Sequence, residues 1–154
     1  MEDFDELWNE YAGEFNDKLE NANGGDWSKL DEQEQEIAAL WKLAADVYGG
    51  GFDEFFLNWG FDCYSHAMRG IKRVADANSG IKKVYKLFEN AYKKVFARFE
   101  NDERIKSYED IAQYLTEKDE KILEKVYEEF DEKLGPLLCE NAYKLYHDKL
   151  GKKV

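Results

Sequence analysis

Asp62 and His66 stand four residues apart with Cys63 beside them. On a helix that spacing sets a carboxylate and an imidazole on one face, where they could share a proton or hold two corners of a metal site. The chain has only two histidines, and no HExxH or comparable pattern supplies further ligands. The spacing therefore predicts a capping aspartate and a half-buried imidazole. Cys139 and His147 lie two helical turns apart and are not placed as nucleophile and base. Glu128-Glu129 and Asp131-Glu132 read as a solvated face. GxSxG, GxxxxGK[ST] and GxGxxG patterns are missing, and Gly49 to Gly51 alone make too weak a phosphate loop. The expectation is a protein without catalytic residues, metal or cofactor.

A different chemistry is written into the opening segment. At 100° per residue Asp3, Glu6, Glu10, Glu14 and Asp17 fall on one stripe, beside an apolar stripe of Phe4, Leu7, Trp8, Tyr11, Phe15 and Leu19. Carboxylates four residues apart on a helix are spaced by about 6 Å. That is comparable with successive phosphates of a nucleic-acid strand, which rises about 3.4 Å per nucleotide while it winds. A fixed row of carboxylates can thus occupy Arg and Lys sites built for phosphates.

The distribution of charge along the chain sharpens this. Residues 1–62 carry 17 acids against Lys18, Lys29 and Lys42, a net −14. Residues 63–106 carry 11 bases and five acids, a net +6, and residues 107–154 carry 12 acids and eight bases, a net −4. The C-terminal acids alternate with lysine, as in Glu117-Lys118-Asp119-Glu120-Lys121, which is how a solvated helix supports itself with i, i+4 pairs. The N-terminal acids have no such partners in sequence.

The elements that must position these groups are helical. One helix runs from about Asp3 to Leu19 and ends in the turn Asn21 to Gly25. Asp31 with Glu34 forms a capping box for a second helix that reaches Tyr48 and buries Ile37, Leu40, Trp41, Ala44 and Val47. Gly49, Gly50 and Gly51 stop it. A short helical segment with Phe52, Phe55 and Phe56 on one face ends near Asn58 to Gly60, and a third long helix covers Asp62 to Ala77. After the break at Asn78 to Gly80 a fourth runs from Ile81 to Phe99. Ser107 begins a short helix and Thr116 caps a longer one. Gly135-Pro136 restarts the chain, and the last helix turns Leu138, Ala142, Leu145, Tyr146 and Leu150 inward. Period-two alternation never persists, so no strand is expected.

Composition agrees. The 154 residues are 44% hydrophobic and 16% aromatic with a single proline, which predicts one compact all-α domain spanning residues 1–154, a bundle of six to eight helices around an aromatic core. The net charge of −12 and a pI near 4.7 oppose direct nucleic-acid binding and docking on anionic membrane. The apolar runs are too short to span a bilayer and the acidic start is unlike a signal peptide, so a cytoplasmic location is expected. Cys63 and Cys139 are expected as reduced, buried thiols.

Gly50-Gly51-Phe52-Asp53-Glu54-Phe55-Phe56-Leu57-Asn58-Trp59-Gly60 has a second layer of meaning. Physically, Gly50 and Gly51 allow a sharp turn, Phe52, Phe55 and Phe56 fill the core, and Asn58 caps or bridges the following turn. The stretch also resembles the Gly-Gly-Phe-x-x-Phe-Phe-x-Asn signature of the DNA-mimic-protein-19-like family of bacteria, over roughly Ile37 to Phe96. That resemblance implies an all-helical domain and, from the family's namesake, an acidic surface that binds a DNA-binding transcription factor in place of DNA. Gly49 and Glu54 depart from the family's usual Asn and Gln. Lys72, Arg73, Lys82, Lys83, Lys86, Lys93 and Lys94 give a basic middle that confines any mimicry to the first helices.

The expected function is accordingly that of a non-catalytic binding protein. Its partner-binding residues are Asp3, Glu6, Glu10, Glu14, Asp17, Asp53 and Glu54, and its partner is a basic protein such as a transcription factor. An immunity or antitoxin-like inhibitor of a basic nuclease uses the same electrostatics and is the alternative. A small ligand near the Gly-Gly-Phe turn, with Asp62 and His66 in polar roles, ranks below both. The +6 and −14 blocks also allow pairing within one chain or in a homodimer.

Overall fold

A computed structural model describes residues 2–154. Its α-helices are α1 (Phe4–Glu20), α2 (Glu32–Gly49), α3 (Phe52–Ala77), α4 (Lys82–Ala91), α5 (Glu117–Glu129) and α6 (Gly135–Ala142), and the described residues form no strand. Each start has a local chemical cause. Asp3 caps α1 by accepting from the N–H groups of Asp5 and Glu6. Asp31 and Glu34 bond reciprocally at 2.9 and 3.0 Å, the capping box its sequence predicts. Thr116 and Asp119 repeat the device at α5, and Ser107 with Asp110 caps the 3₁₀ turn Tyr108–Tyr114.

α2 is the central element. It lies between α1 and α3 and buries side chains on nearly every face, from Glu34 and Glu36 through Ile37, Leu40 and Leu43 to Val47. α4 and α5 pack against the other side of α3, and the C-terminal rod closes over α1 and α3. The core is aromatic: Phe56 stacks on Phe96 at 4.2 Å between ring centroids, while Phe52 meets Phe88 edge-on at 4.9 Å. Tyr64 and Tyr92 stack at 4.4 Å along its margin. Full burial of each such ring contributes about 2–3 kcal/mol, so the all-α bundle with an aromatic core rests mainly on these contacts.

Three expectations about the elements are corrected. The segment after the glycines and the third helix are one element, α3, whose backbone leaves the helical region only at Gly60 (φ 77°, ψ −159°). The expected break is real but is a kink, and the ring of Tyr108 fills the space a Cβ would take there. Gly135-Pro136 does not restart the chain. α5 passes through a π-helical turn at Phe130–Leu134 into α6 and a second π turn at Tyr143–Lys149, one continuous rod. The π turn stands immediately before Pro136, and Gly135 N–H bonds Phe130 O five residues back. That shifted ladder accommodates a residue without an N–H. Leu150, expected inside, lies past the end of the rod and is 42% exposed.

Candidate functional site

α1 presents its polar face to solvent. Glu6, Glu10, Glu14 and Asp17 are all exposed, as is the capping Asp3. From Asp3 to Asp17 there are 14 helical rises, or about 21 Å of helix. Among the described residues no Lys, Arg or His stands within ion-pairing distance of any of the five carboxylates. The one base of α1, Lys18, turns away from the row and pairs with the buried Glu34 at 2.5 Å. The opposite face of α1, with Trp8, Ala12, Phe15 and Leu19 buried, anchors the row to α2 and the C-terminal rod. The carboxylates therefore sit on a rigid support.

The other two acids named with the row are placed elsewhere. Asp53 and Glu54 belong to the first turn of α3. Asp53 borders a shallow hollow with Glu120, Glu124 and Tyr127 of α5, and the Glu54 carboxylate folds back over Gly50. They are acids of a second surface, next to the Gly-Gly-Phe turn.

The turn itself is architectural. Gly50 and Gly51 both donate backbone N–H groups to Asp46 O, at 2.9 and 3.1 Å. Gly51 adopts φ 123°, a conformation that side chains with a Cβ rarely take. Phe52, Phe55 and Phe56 are completely buried. Asn58 does bridge, but backward to α2: its Nδ2 reaches Asp46 Oδ2 at 3.4 Å, and Trp59 Nε1 donates to the same oxygen at 2.7 Å. Asp46 thus holds both ends of the turn, a role that sequence reasoning missed because Asp46 looks like any surface aspartate at the end of a helix.

The N-terminal acids that lack partners in sequence divide into two groups in space. Those of α1's outer stripe stay unpaired. Glu32, Glu34 and Glu36 of α2 are neutralised from afar. Glu36 is fully buried and receives Arg73 Nε at 2.6 Å, Arg69 Nε at 2.8 Å and the Tyr146 hydroxyl at 2.7 Å. Burial pushes its carboxyl up, and the hydrogen bonds from Arg73, Arg69 and Tyr146 together outweigh that and hold it below the ordinary range. Lys42, 2% exposed, pairs with Glu20 at 2.6 Å, and Lys152 pairs with Asp31. Arg69 and Arg73 of the basic middle therefore serve the acidic half within one chain.

Asp62 and His66 are not brought together. Asp62 is exposed, whereas His66 packs on the Trp27 ring at 4.5 Å and its Nδ1 lies 3.1 Å from Arg69 Nη1. Arginine can only donate, so that nitrogen accepts and the ring is neutral. Burial and then the Arg69 charge lower its pKa. His147 is exposed, stacked on Tyr143 at 4.5 Å, while Cys139 is buried in the core. The described residues contain no group of three or more His, Cys, Asp or Glu that could hold a metal ion. They also contain no helix long and apolar enough to cross a membrane.

An aromatic-cored helical bundle, turned at Gly-Gly-Phe and carrying one unpaired acidic helix face, is the class that this fold and surface define. The profile of the DMP19-like protein family matches residues 28–150, and the chain belongs to that family. The match extends well beyond the Gly-Gly-Phe stretch and takes in α2 through α6, while α1 with its carboxylate row precedes it. No curated protein and no solved structure matches the chain.

Proposed function

We propose that the protein is a non-catalytic binding protein whose α1 carboxylate row engages a basic protein surface built to hold nucleic-acid phosphates, such as that of a DNA-binding transcription factor. The observation that carries this reading is the row itself: exposed acids on one rigid helix, with no cation of the described residues beside them. Leaving like charges unpaired on one face costs self-repulsion, whereas Glu20, Glu34 and Glu36 of the same N-terminal block are paired, by Lys42, by Lys18 and by Arg69 with Arg73. Membership of the DMP19-like family supports the fold that presents the row.

The test is to immobilise the protein, collect the proteins it retains from a native bacterial lysate, and elute with salt. The reading expects a basic DNA-binding protein, released as ionic strength rises and displaced by duplex DNA. Retention that ignores salt, or that persists when Glu6, Glu10, Glu14 and Asp17 are all changed to Lys, contradicts it. A retained basic nuclease that loses activity in the complex identifies the inhibitor form of the same electrostatics.

A further inference from the structure

Far along the chain from the acidic row, the structure holds a concavity of opposite sign. The 3₁₀ turn Ala97–Phe99, the loop after it and the start of α5 enclose a hollow of about 660 Å³, within the range of small-molecule sites. Lys94, Arg98, Arg104 and Lys118 line it, against an apolar wall that includes Tyr114 and Ile122. Asp119 is the acid among the lining residues, and Arg98 already clasps it through two guanidinium nitrogens at 3.2 and 2.5 Å.

Two of the four cations are fixed before any ligand arrives. Asp119 holds Arg98, and Arg104 is held by Asp102 at 2.7 Å and lies 4.1 Å over the Tyr114 ring. Lys94 and Lys118 are exposed, with no carboxylate of the described residues in ion-pairing reach. Two free ammonium groups and two oriented guanidinium groups converge here on one partly apolar cavity. Such a set matches an anion with several oxygens on a flat or apolar body.

We propose that this hollow binds a phosphate ester of nucleotide size, its phosphates taken by Lys94, Lys118 and Arg104 and its body resting on the Tyr114–Ile122 wall. The inference is independent of the carboxylate row, because the residues involved belong to other elements.

Isothermal titration of the full chain with ATP, inorganic pyrophosphate and adenosine, without magnesium, tests it. ATP is expected to bind about tenfold or more tightly than pyrophosphate, and adenosine is expected to give no signal. Lys94→Glu with Lys118→Glu should weaken ATP by about tenfold or more, while Lys82→Glu with Lys83→Glu, the same charge change on exposed lysines outside the hollow, should leave it within about twofold. Circular dichroism of both double variants checks that they fold. The proposal is overturned if ATP does not bind at millimolar concentration, if pyrophosphate equals ATP, or if both folded double variants lose ATP equally.

Discussion

Lys42 Nζ stands 3.4 Å from the centre of the Trp59 ring, its charge shared between that π face and Glu20. The same indole donates Nε1–H to Asp46. One aromatic side chain therefore links the end of α1, the middle of α2 and the turn that begins α3. Trp59→Ala removes the ring, leaving Lys42 with Glu20 alone and the Asp46 carboxylate with only the long bond from Asn58. The expected loss is about 2–3 kcal/mol in urea denaturation, less than for a fully buried tryptophan. Lys42→Met, which replaces the buried charge with an apolar chain of similar length, should change stability by less than about 1 kcal/mol.

Glu36 makes stability depend on acid. Its carboxyl lies below the 4.5 of an unperturbed glutamate, so the unfolded chain takes up a proton first as pH falls. The stabilisation is complete above about 4.5 and is lost progressively as pH drops toward the folded-state value. Glu36→Gln should cost about 2 kcal/mol at pH 7, tempered because Arg69 and Arg73 can turn toward water. It should also flatten the decline between pH 5 and pH 3. Urea midpoints across that range, wild type against variant, check both.

Gly60 and Gly135 both disfavour a side chain, for different reasons. Gly60 has a positive φ and its missing Cβ makes room for Tyr108. Gly135 is helical, but the Tyr48 hydroxyl occupies its Cβ position. Gly60→Ala should destabilise by about 2–3 kcal/mol. The double change Gly60→Ala with Tyr108→Ala should recover only the packing share and retain about 1–2 kcal/mol of backbone strain. Thermal melts of Gly60→Ala, Tyr108→Ala and the double variant separate the two contributions.

Burial raises the thiols of both Cys63 and Cys139. Neither should react with a disulfide reagent at pH 8 in the native protein, and both should react once denaturant opens the core. A fast-reacting native thiol would show that the packing around it is looser than described.

Much of the fold is legible in sequence because its causes are local. The capping box at Asp31 and Glu34, the apolar period of α1 and the stop at Gly49 to Gly51 each depend on neighbours within a few residues. Pro136 misleads because a proline's effect depends on the ladder before it, and a π turn leaves no mark in composition. The exposed row of α1 was readable from spacing alone. The fate of Glu36 was not, since Arg69, Arg73 and Tyr146 lie 33 to 110 residues away. Asp46 and Trp59 were missed likewise, for their partnership is created by the turn between them. The basic hollow joins residues from Lys94 to Ile122, too spread for any motif to mark.

Reading of the α1 row by another protein in place of DNA, as proposed, is open to direct test. Its most direct measurement is binding of a purified captured partner to the wild-type chain and to the Glu6, Glu10, Glu14 and Asp17→Lys variant, with a duplex carrying the partner's own site as competitor. Mutually exclusive binding of protein and duplex is expected, with a loss of about a hundredfold or more in the variant, since four charges opposite to the partner's become like it. A ternary complex with DNA, or equal affinity of the two chains, would contradict it.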